Sequence, residues 1–388
     1  MNMLKVGAIG TGNTGNQVIA LAKEKLNIPV MAINSSSKDL ETIDPSIPSH
    51  LISMKGGDSQ GAGKNRKLAK TYLKDSIMKF LQDNAINNFV MDCDVVFIIG
   101  STGGGTGSGT APVILSVLSK TYPDTLFILV GVGPVESEAL SAQVNTLEYL
   151  NEMYSNLENV RYMLYDNDNY SDEPSYRMME HVNAEIVSDI AVIMGMYNTA
   201  TKYDSIDTED MMRLISTPGR IVVARVEDIK EKDLDAASIE ERLIRSIKES
   251  AHMELQRDKK VMGTGLIINL SDLLITQFDS HIPKVHEFIG EPVHEFLHVA
   301  INTDRKDVNS VYLIMSGLSA VNDKITKIGE RVEEIEERQR IQEEQSALDN
   351  QKLTELGNMI IQNDGRKAAK ETKQATVDLE KIFGDFGV

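Results

Sequence analysis

Two glycine-rich stretches hold the residue types from which a chemical site could be built. Gly10-Thr11-Gly12-Asn13-Thr14-Gly15 follows an apolar segment, precedes a helical one and matches the spacing G-x-G-x-x-G. Glycines at those places let backbone amides reach an anion at a helix N-terminus. Ile98–Ile114, IIGSTGGGTGSGTAPVI, carries six glycines from Gly100 to Gly109 and no charge. Successive amides in such a loop form an anion-binding concavity backed by a helix dipole, and Thr106 and Ser108 add hydroxyls without bulk. Both stretches point to phosphate. A dinucleotide-dependent oxidoreductase also needs an acidic residue at the end of the second strand for the ribose. Asn34-Ser35-Ser36-Ser37 stands there instead, so redox chemistry ranks below phosphate binding alone.

Two further motifs fail their own tests. Gly57–Asn65 (GDSQGAGKN) is one residue off a Walker A loop, with Asn65 where a hydroxyl should take magnesium. That excludes a P-loop ATPase but leaves a small glycine loop with a cation, Lys64. His294-Glu295-Phe296-Leu297-His298 is a formal H-E-x-x-H, which on a helix would put two histidines on one face. No His or Glu follows between Val299 and Gly329 to complete a zinc site. Ordinary helix-surface histidines are expected there.

The elements that must position these loops alternate. Short β-branched runs at Met3–Ile9, Pro29–Asn34, Asp94–Gly100, Phe127–Val132 and Val160–Tyr165 are strand candidates. Helical patterns cover about Asn16–Lys25 and Ala111–Lys120, the latter with Pro112 in its first turn. This rhythm predicts an α/β fold with a doubly wound parallel sheet, whose ligands sit at the carboxyl ends of the strands. A long helix is expected from Pro174 to Asn198. After Thr217-Pro218-Gly219, strands at Arg220–Val226, Lys260–Asn269, Leu297–Asn302 and Ser310–Ser316 alternate with helices near Ile239–Ser250 and Lys284–Glu295, a smaller α/β domain with a mixed sheet. Val321, Ile325, Ile328, Val332 and Ile335 form an apolar stripe on a charged helix running to about Gln351, and a polar tail begins at Gly357. The expected organisation is a nucleotide-binding domain over 1–173, a central helix over 174–200, a second α/β domain over 201–318, a C-terminal helix over 319–356 and a flexible tail over 357–388.

Composition bounds the function. The chain has 388 residues, a formal net charge of -18 and one cysteine, Cys93. No run is long and apolar enough to span a bilayer, and the N-terminus shows no basic start followed by an apolar stretch. A soluble cytoplasmic protein is expected, without membrane contact. The acidity argues against direct DNA or RNA binding, which needs a basic footprint.

Gly103-Gly104-Gly105-Thr106-Gly107-Ser108-Gly109 closely resembles the tubulin signature loop, and GGGTGSGTAPVI is similar to the matching stretch of the division protein FtsZ. The resemblance extends along most of the chain. Gly12, Asn13, Thr14, Gly15, Asn16 and Gln17 look like the first phosphate loop. Gly61, Ala62, Gly63, Lys64 and Asn65 resemble the third, which approaches the γ-phosphate. Gly133–Ala139 (GPVESEA), with Pro134, looks like the ribose loop, and implies Glu138 as ribose acceptor. Asn167 and Asn183 fall where the family reads guanine, and Asn34 joins them in the site. An Asn amide matches guanine and not adenine, which favours GTP/GDP over ATP. Asp207 and Asp210, in DSIDTED, fall where the family supplies carboxylates to the next subunit's nucleotide. Their spacing suits both helix capping and orienting a water. The resemblance favours catalysis.

It implies a GTPase of the tubulin/FtsZ superfamily that polymerises head to tail, with Mg2+ held by phosphates and water. Ser205, Ser141-Ala142-Gln143 and the long charged C-terminal helix depart from FtsZ and are closer to TubZ, the plasmid and phage branch. That branch implies bacterial DNA segregation through a DNA-binding, TubR-like adaptor engaged by the C-terminal tail. An FtsZ-like division filament is the alternative.

Overall fold

In the computed structural model the described residues are 3–54, 60–196, 205–229, 236–254, 261–301 and 309–365. Strand β1 (Val6–Thr11) runs directly into helix α1 (Gly12–Leu26), and β2 (Val30–Asn34) pairs parallel to β1. A short α2 (Ser37–Glu41), a short strand β3 (Ser49–Leu51) and helices α3 (Arg66–Leu81) and α4 (Asn84–Met91) follow. The alternation continues with β4 (Val95–Ser101), α5 (Thr106–Thr121), β5 (Leu126–Gly133), α6 (Leu140–Asn156) and β6 (Arg161–Asp166). A 3-10 turn at Asn167–Tyr170 leads to the central α7 (Ser175–Ile193).

The rest comprises α8 (Thr208–Ile215), β7 (Gly219–Ile229), α9 (Ala236–Glu249) and β8 (Gly263–Leu270). Then come α10 (Asp272–Asp279), α11 (Ile282–Ile289), β9 (His294–Ile301), β10 (Asn309–Leu318) and α12 (Asn322–Gly365).

All ten strands belong to one sheet in the order β3-β2-β1-β4-β5-β6-β7-β10-β8-β9. The pairs from β3 to β7 are parallel, and β10 is antiparallel to both β7 and β8. Strand β6 meets β7 through two register pairs, Arg161 with Gly219 and Tyr162 with Arg220, and the segment after α9 adds an antiparallel bridge between Tyr165 and His252. Strand β4 explains why its sequence is apolar throughout. Val95, Phe97 and Ile99 join the core formed with α1 and α7, while Val96 and Ile98 join that formed with α3 to α6. Covering both faces removes each of these side chains from water, worth about 1.5–3 kcal/mol apiece.

Side chains reinforce the narrow joint. Asp189 of α7, fully buried, accepts from the Tyr165 hydroxyl of β6 at 2.8 Å and pairs with Arg225 of β7 at 2.9 Å.

Several expectations are corrected, and α7 ends at Ile193, short of the Asn198 expected for the long central helix. Helix α5 begins at Thr106 rather than near Ala111, so Pro112 lies inside the helix and not in its first turn. His294–His298 is strand, not helix, and Lys284–Glu295 shrinks to α11. In β9 every second residue shares a face, and His298 is fully buried rather than a surface histidine. Helix α12 continues through Gly357 to Gly365.

The chain divides into two units, Met1–Val332 and Glu333–Val388. In the first, Val321, just before α12, and Ile328 and Val332 of α12 are buried as the stripe requires. In the second, the helix carries surface pairs such as Arg340 with Glu337 at 2.9 Å, and Ile341 and Leu348 are exposed.

Candidate functional site

The carboxyl ends of β1, β2, β4 and β5 open on a cavity of about 620 Å³. Two helices begin at it. Helix α1 starts directly after Thr11, whose hydroxyl donates to the Ile99 carbonyl at 3.1 Å instead of capping the helix. Helix α5 starts after Gly105, which has no side chain to cap with. The first amides of both helices therefore keep their hydrogens for a ligand, and both positive dipole ends meet at one place. The two loops touch: a β-carbon on Gly12, at φ +69°, would stand 3.0 Å from the Gly107 amide nitrogen.

The third loop closes the same end. Gly61, Gly63 and Lys64 all have positive φ, a course that glycine adopts freely. Lys64 reaches across to Glu138, 3.5 Å away. Asn145 of α6 holds this loop to the glycine loop, its amide donating to the carbonyls of Lys64, Gly103 and Gly104 at 2.8, 3.0 and 3.1 Å. The Thr106 and Ser35 hydroxyls are hydrogen-bonded at 2.6 Å. At the opposite end of the lining stand Asn167, from the 3-10 turn, and Asn183, from α7. The Asn167 Oδ1 is buried without a hydrogen-bond partner, which leaves an acceptor for a ligand.

Most of the residues singled out in the sequence come together here. Gly12, Asn13, Thr14, Gln17, Asn34, Gly61, Ala62, Gly63, Lys64, Gly103, Gly104, Gly105, Thr106, Gly107, Glu138, Asn167 and Asn183 all line the cavity. Five lie elsewhere. Gly15 is packed on β4, where a β-carbon would sit 2.1 Å from the Ile99 carbonyl oxygen. Asn16 is buried beside the lining, its side-chain amide without a partner. Asn65 caps α3 by accepting from the Leu68 amide at 3.0 Å. The Ser108 hydroxyl is buried and donates back to the Gly104 carbonyl. Pro134 stands next to the lining residue Val135 without lining the cavity itself.

Asp207 and Asp210 are not among the lining residues. They form a capping box at the start of α8, with the Asp210 amide donating to Asp207 at 2.9 Å and the Asp207 amide to Asp210 at 3.4 Å. Asp207 is exposed. Asp204, which opens the motif, lies outside the described residues.

The Tubulin/FtsZ family, GTPase domain model matches residues 3–173, the stretch from β1 through β6 that builds most of the cavity. Those residues are a tubulin/FtsZ-family domain. The chain is 25% identical over 234 residues to the tubulin-like protein CetZ of Pyrococcus horikoshii, which covers 58% of this chain and 63% of that protein. It is 27% identical over 258 residues to the tubulin-like protein TubZ of Clostridium botulinum C phage, covering 65% and 66%. The chain thus spans a little under two thirds of the length of the curated relatives it matches. Among solved structures, a GTPγS-form protofilament of Bacillus thuringiensis serovar israelensis TubZ superposes with a TM-score of 0.69 at 17% identity, over 90% of this chain and 95% of that one. The likeness shows that the tubulin/FtsZ fold runs well beyond the matched domain.

Sequence reading passed over several residues that build the cavity. Ser36, Asp39, Gln60, Ser101, Met178 and Met179 also line the cavity. Ser36 caps α2 and Asp39 lies within it, just after the second-strand stretch from which the sequence drew only Asn34 into the site. Asn145 lies mid-helix in α6, where no local pattern marks it. Among the described residues no helix is long and apolar enough to cross a membrane.

Proposed function

We propose that this chain binds GTP in the cavity and hydrolyses it on head-to-tail self-assembly. One observation carries the reading: two uncapped helix N-termini open on one cavity, while the paired carboxylates Asp207 and Asp210 stand outside it at the start of another helix. The bare amides of α1 and α5, with Lys64, suit three phosphates. Magnesium would take phosphate oxygens and water as ligands and neutralise the developing charge. Glu138 suits the ribose, and Asn167 and Asn183 suit a guanine edge. Asp207 and Asp210, brought by a second copy, would orient the attacking water. The protofilament of the TubZ relative supports assembly as the way the two halves meet.

The organisation proposed follows the one expected from the sequence: nucleotide binding over 1–173, a central segment over 174–200 that contains α7, a second domain over 201–318, then a helix and tail. Within the family we favour the TubZ branch: a bacterial cytoplasmic filament segregating DNA through a basic adaptor engaged by the C-terminal tail. The phage TubZ relative and a net charge of -18 support this, since an acidic filament needs an intermediary to hold DNA. Residues 366–388, where that adaptor would bind, lie outside the described residues.

The test is GTP turnover per subunit against protein concentration, with electron microscopy of the same samples in GTP and GTPγS. Turnover should rise with concentration and filaments should form. A flat rate with no filaments overturns the reading.

A further inference from the structure

We infer that Lys324, near the start of α12, is a positioning residue for the base-reading end of the cavity, holding Asn167 and the Glu138 loop in place from outside. The inference deepens the nucleotide reading above and rests on it. Lys324 is not among the lining residues. Its Nζ lies 2.7 Å from an Asp166 oxygen and 2.7 Å from an Asp168 oxygen, the carboxylates on either side of Asn167 in sequence.

Each carboxylate has a second task. Asp166 accepts from the Asp168 amide at 3.2 Å, which closes the 3-10 turn carrying Asn167. Asp168 accepts from the Glu136 amide at 2.6 Å, which fastens the loop carrying Glu138. One ammonium therefore bridges two neighbouring like charges whose other bonds shape both the turn and the loop. The group is shielded from water, with the Asp166 side chain 7% and the Lys324 side chain 18% exposed. At that depth an ion pair is screened less than on the surface, and removing the cation leaves two carboxylates to repel. The cheapest relief is to move the turn. Burial disfavours the Lys324 ammonium, yet Asp166 and Asp168 outweigh it and hold the proton more firmly than usual. The phosphate-facing amides of α1 and α5 have no part in this network, and the phosphate loops touch it only where Lys64 reaches Glu138, so its loss should blur base and ribose recognition more than phosphate binding.

The test compares GTP and ATP affinity by calorimetry in full-length wild type, Lys324→Met, Lys324→Arg, Asp168→Asn and Lys327→Met. Lys324→Met should weaken GTP binding on the order of tenfold and ATP binding less, since ATP loses only the ribose contact the two share, so that the two affinities converge. Lys324→Arg should restore much of the preference. Asp168→Asn, which leaves the Asp166 pair, should shift it in the same direction as Lys324→Met and decides the matter should Lys324→Met not fold. Lys327→Met, whose surface partner Glu254 is 3.8 Å away, should match wild type. Wild type lacking any guanine preference would overturn the nucleotide reading itself. Wild-type selectivity retained in folded Lys324→Met, or in Asp168→Asn, or an equal loss for both nucleotides, overturns the role of Lys324.

Discussion

Arg66 donates to the carbonyl oxygen of Ser108 at 2.9 Å, the acceptor that Pro112, four residues on, leaves open by having no amide hydrogen. The same guanidinium pairs with Glu148 at 2.9 Å and Glu152 at 2.7 Å on α6, with its side chain only 2% exposed. A proline inside a helix and a buried cation thus satisfy each other beneath the glycine loop, tying α3, α5 and α6 together. Arg66→Met should cost about 2–3 kcal/mol in urea denaturation, below the full price of a buried orphan because Glu148 is half exposed. Arg66→Lys should recover little, since one ammonium cannot serve three acceptors in a planar fork. Full recovery by lysine would show that charge alone matters.

The glycines of the loop divide by what surrounds them, which yields opposed outcomes. A β-carbon on Gly107 would stand 2.9 Å from the Ser101 amide nitrogen and 3.0 Å from the Thr11 carbonyl oxygen, backbone atoms that cannot swing aside. Gly107→Ala should destabilise the fold by about 3 kcal/mol. A β-carbon on Gly104, which lines the cavity, would come no closer than 3.7 Å to the atoms around it. Gly104→Ala should leave stability within about 0.5 kcal/mol and weaken nucleotide binding. Thermal melts with and without GTP separate the two.

That division was hidden from sequence reading, which assigned the whole run to a ligand. Gly100, Gly105, Gly107 and Gly109 are bare because β1, the Lys64–Asn65 backbone, β4 and α3 crowd them. Packing between segments far apart in sequence leaves no local trace. The alternating strands and helices were legible because β1, β2, β4 and β5 are buried along almost their whole length and glycine turns sit at strand ends, whereas the short, half-exposed β3 left no such trace. The H-E-x-x-H stretch misled for a geometric reason: residues four apart share a face on a strand as well as on a helix. Asn145 and Lys324 were invisible, since their partners lie on other elements. Asp207 and Asp210 were legible as a pair, though their spacing alone serves capping and catalysis equally.

Those two roles of Asp207 come apart in one substitution. Asparagine caps a helix as well as aspartate but carries no charge to polarise water. Asp207→Asn should melt with wild type and still assemble, while GTP turnover falls on the order of a hundredfold. Asp207→Ala should lose about 1 kcal/mol as well. Unchanged turnover in Asp207→Asn would reduce the pair to a cap.

His298 sets an acid limit on the same region. It is fully buried in β9, and its Nδ1 accepts from the Ile206 amide at 3.3 Å, one residue before the Asp207 cap. Burial lowers its pKa from 6.5 to about 4. Between those values only the unfolded chain takes up the proton, so stability must fall as pH drops from about 6.5 toward 4 and is unaffected by this group above that window. The full span corresponds to roughly 3 kcal/mol. Below pH 4 the ring protonates in the folded state too, and Nδ1 can no longer accept from Ile206. Urea denaturation at pH 7.5, 6 and 5 should show this loss in wild type, while His298→Gln, destabilised by a constant amount, should show a shallower slope. Parallel slopes for the two proteins would place the acid sensitivity in other groups.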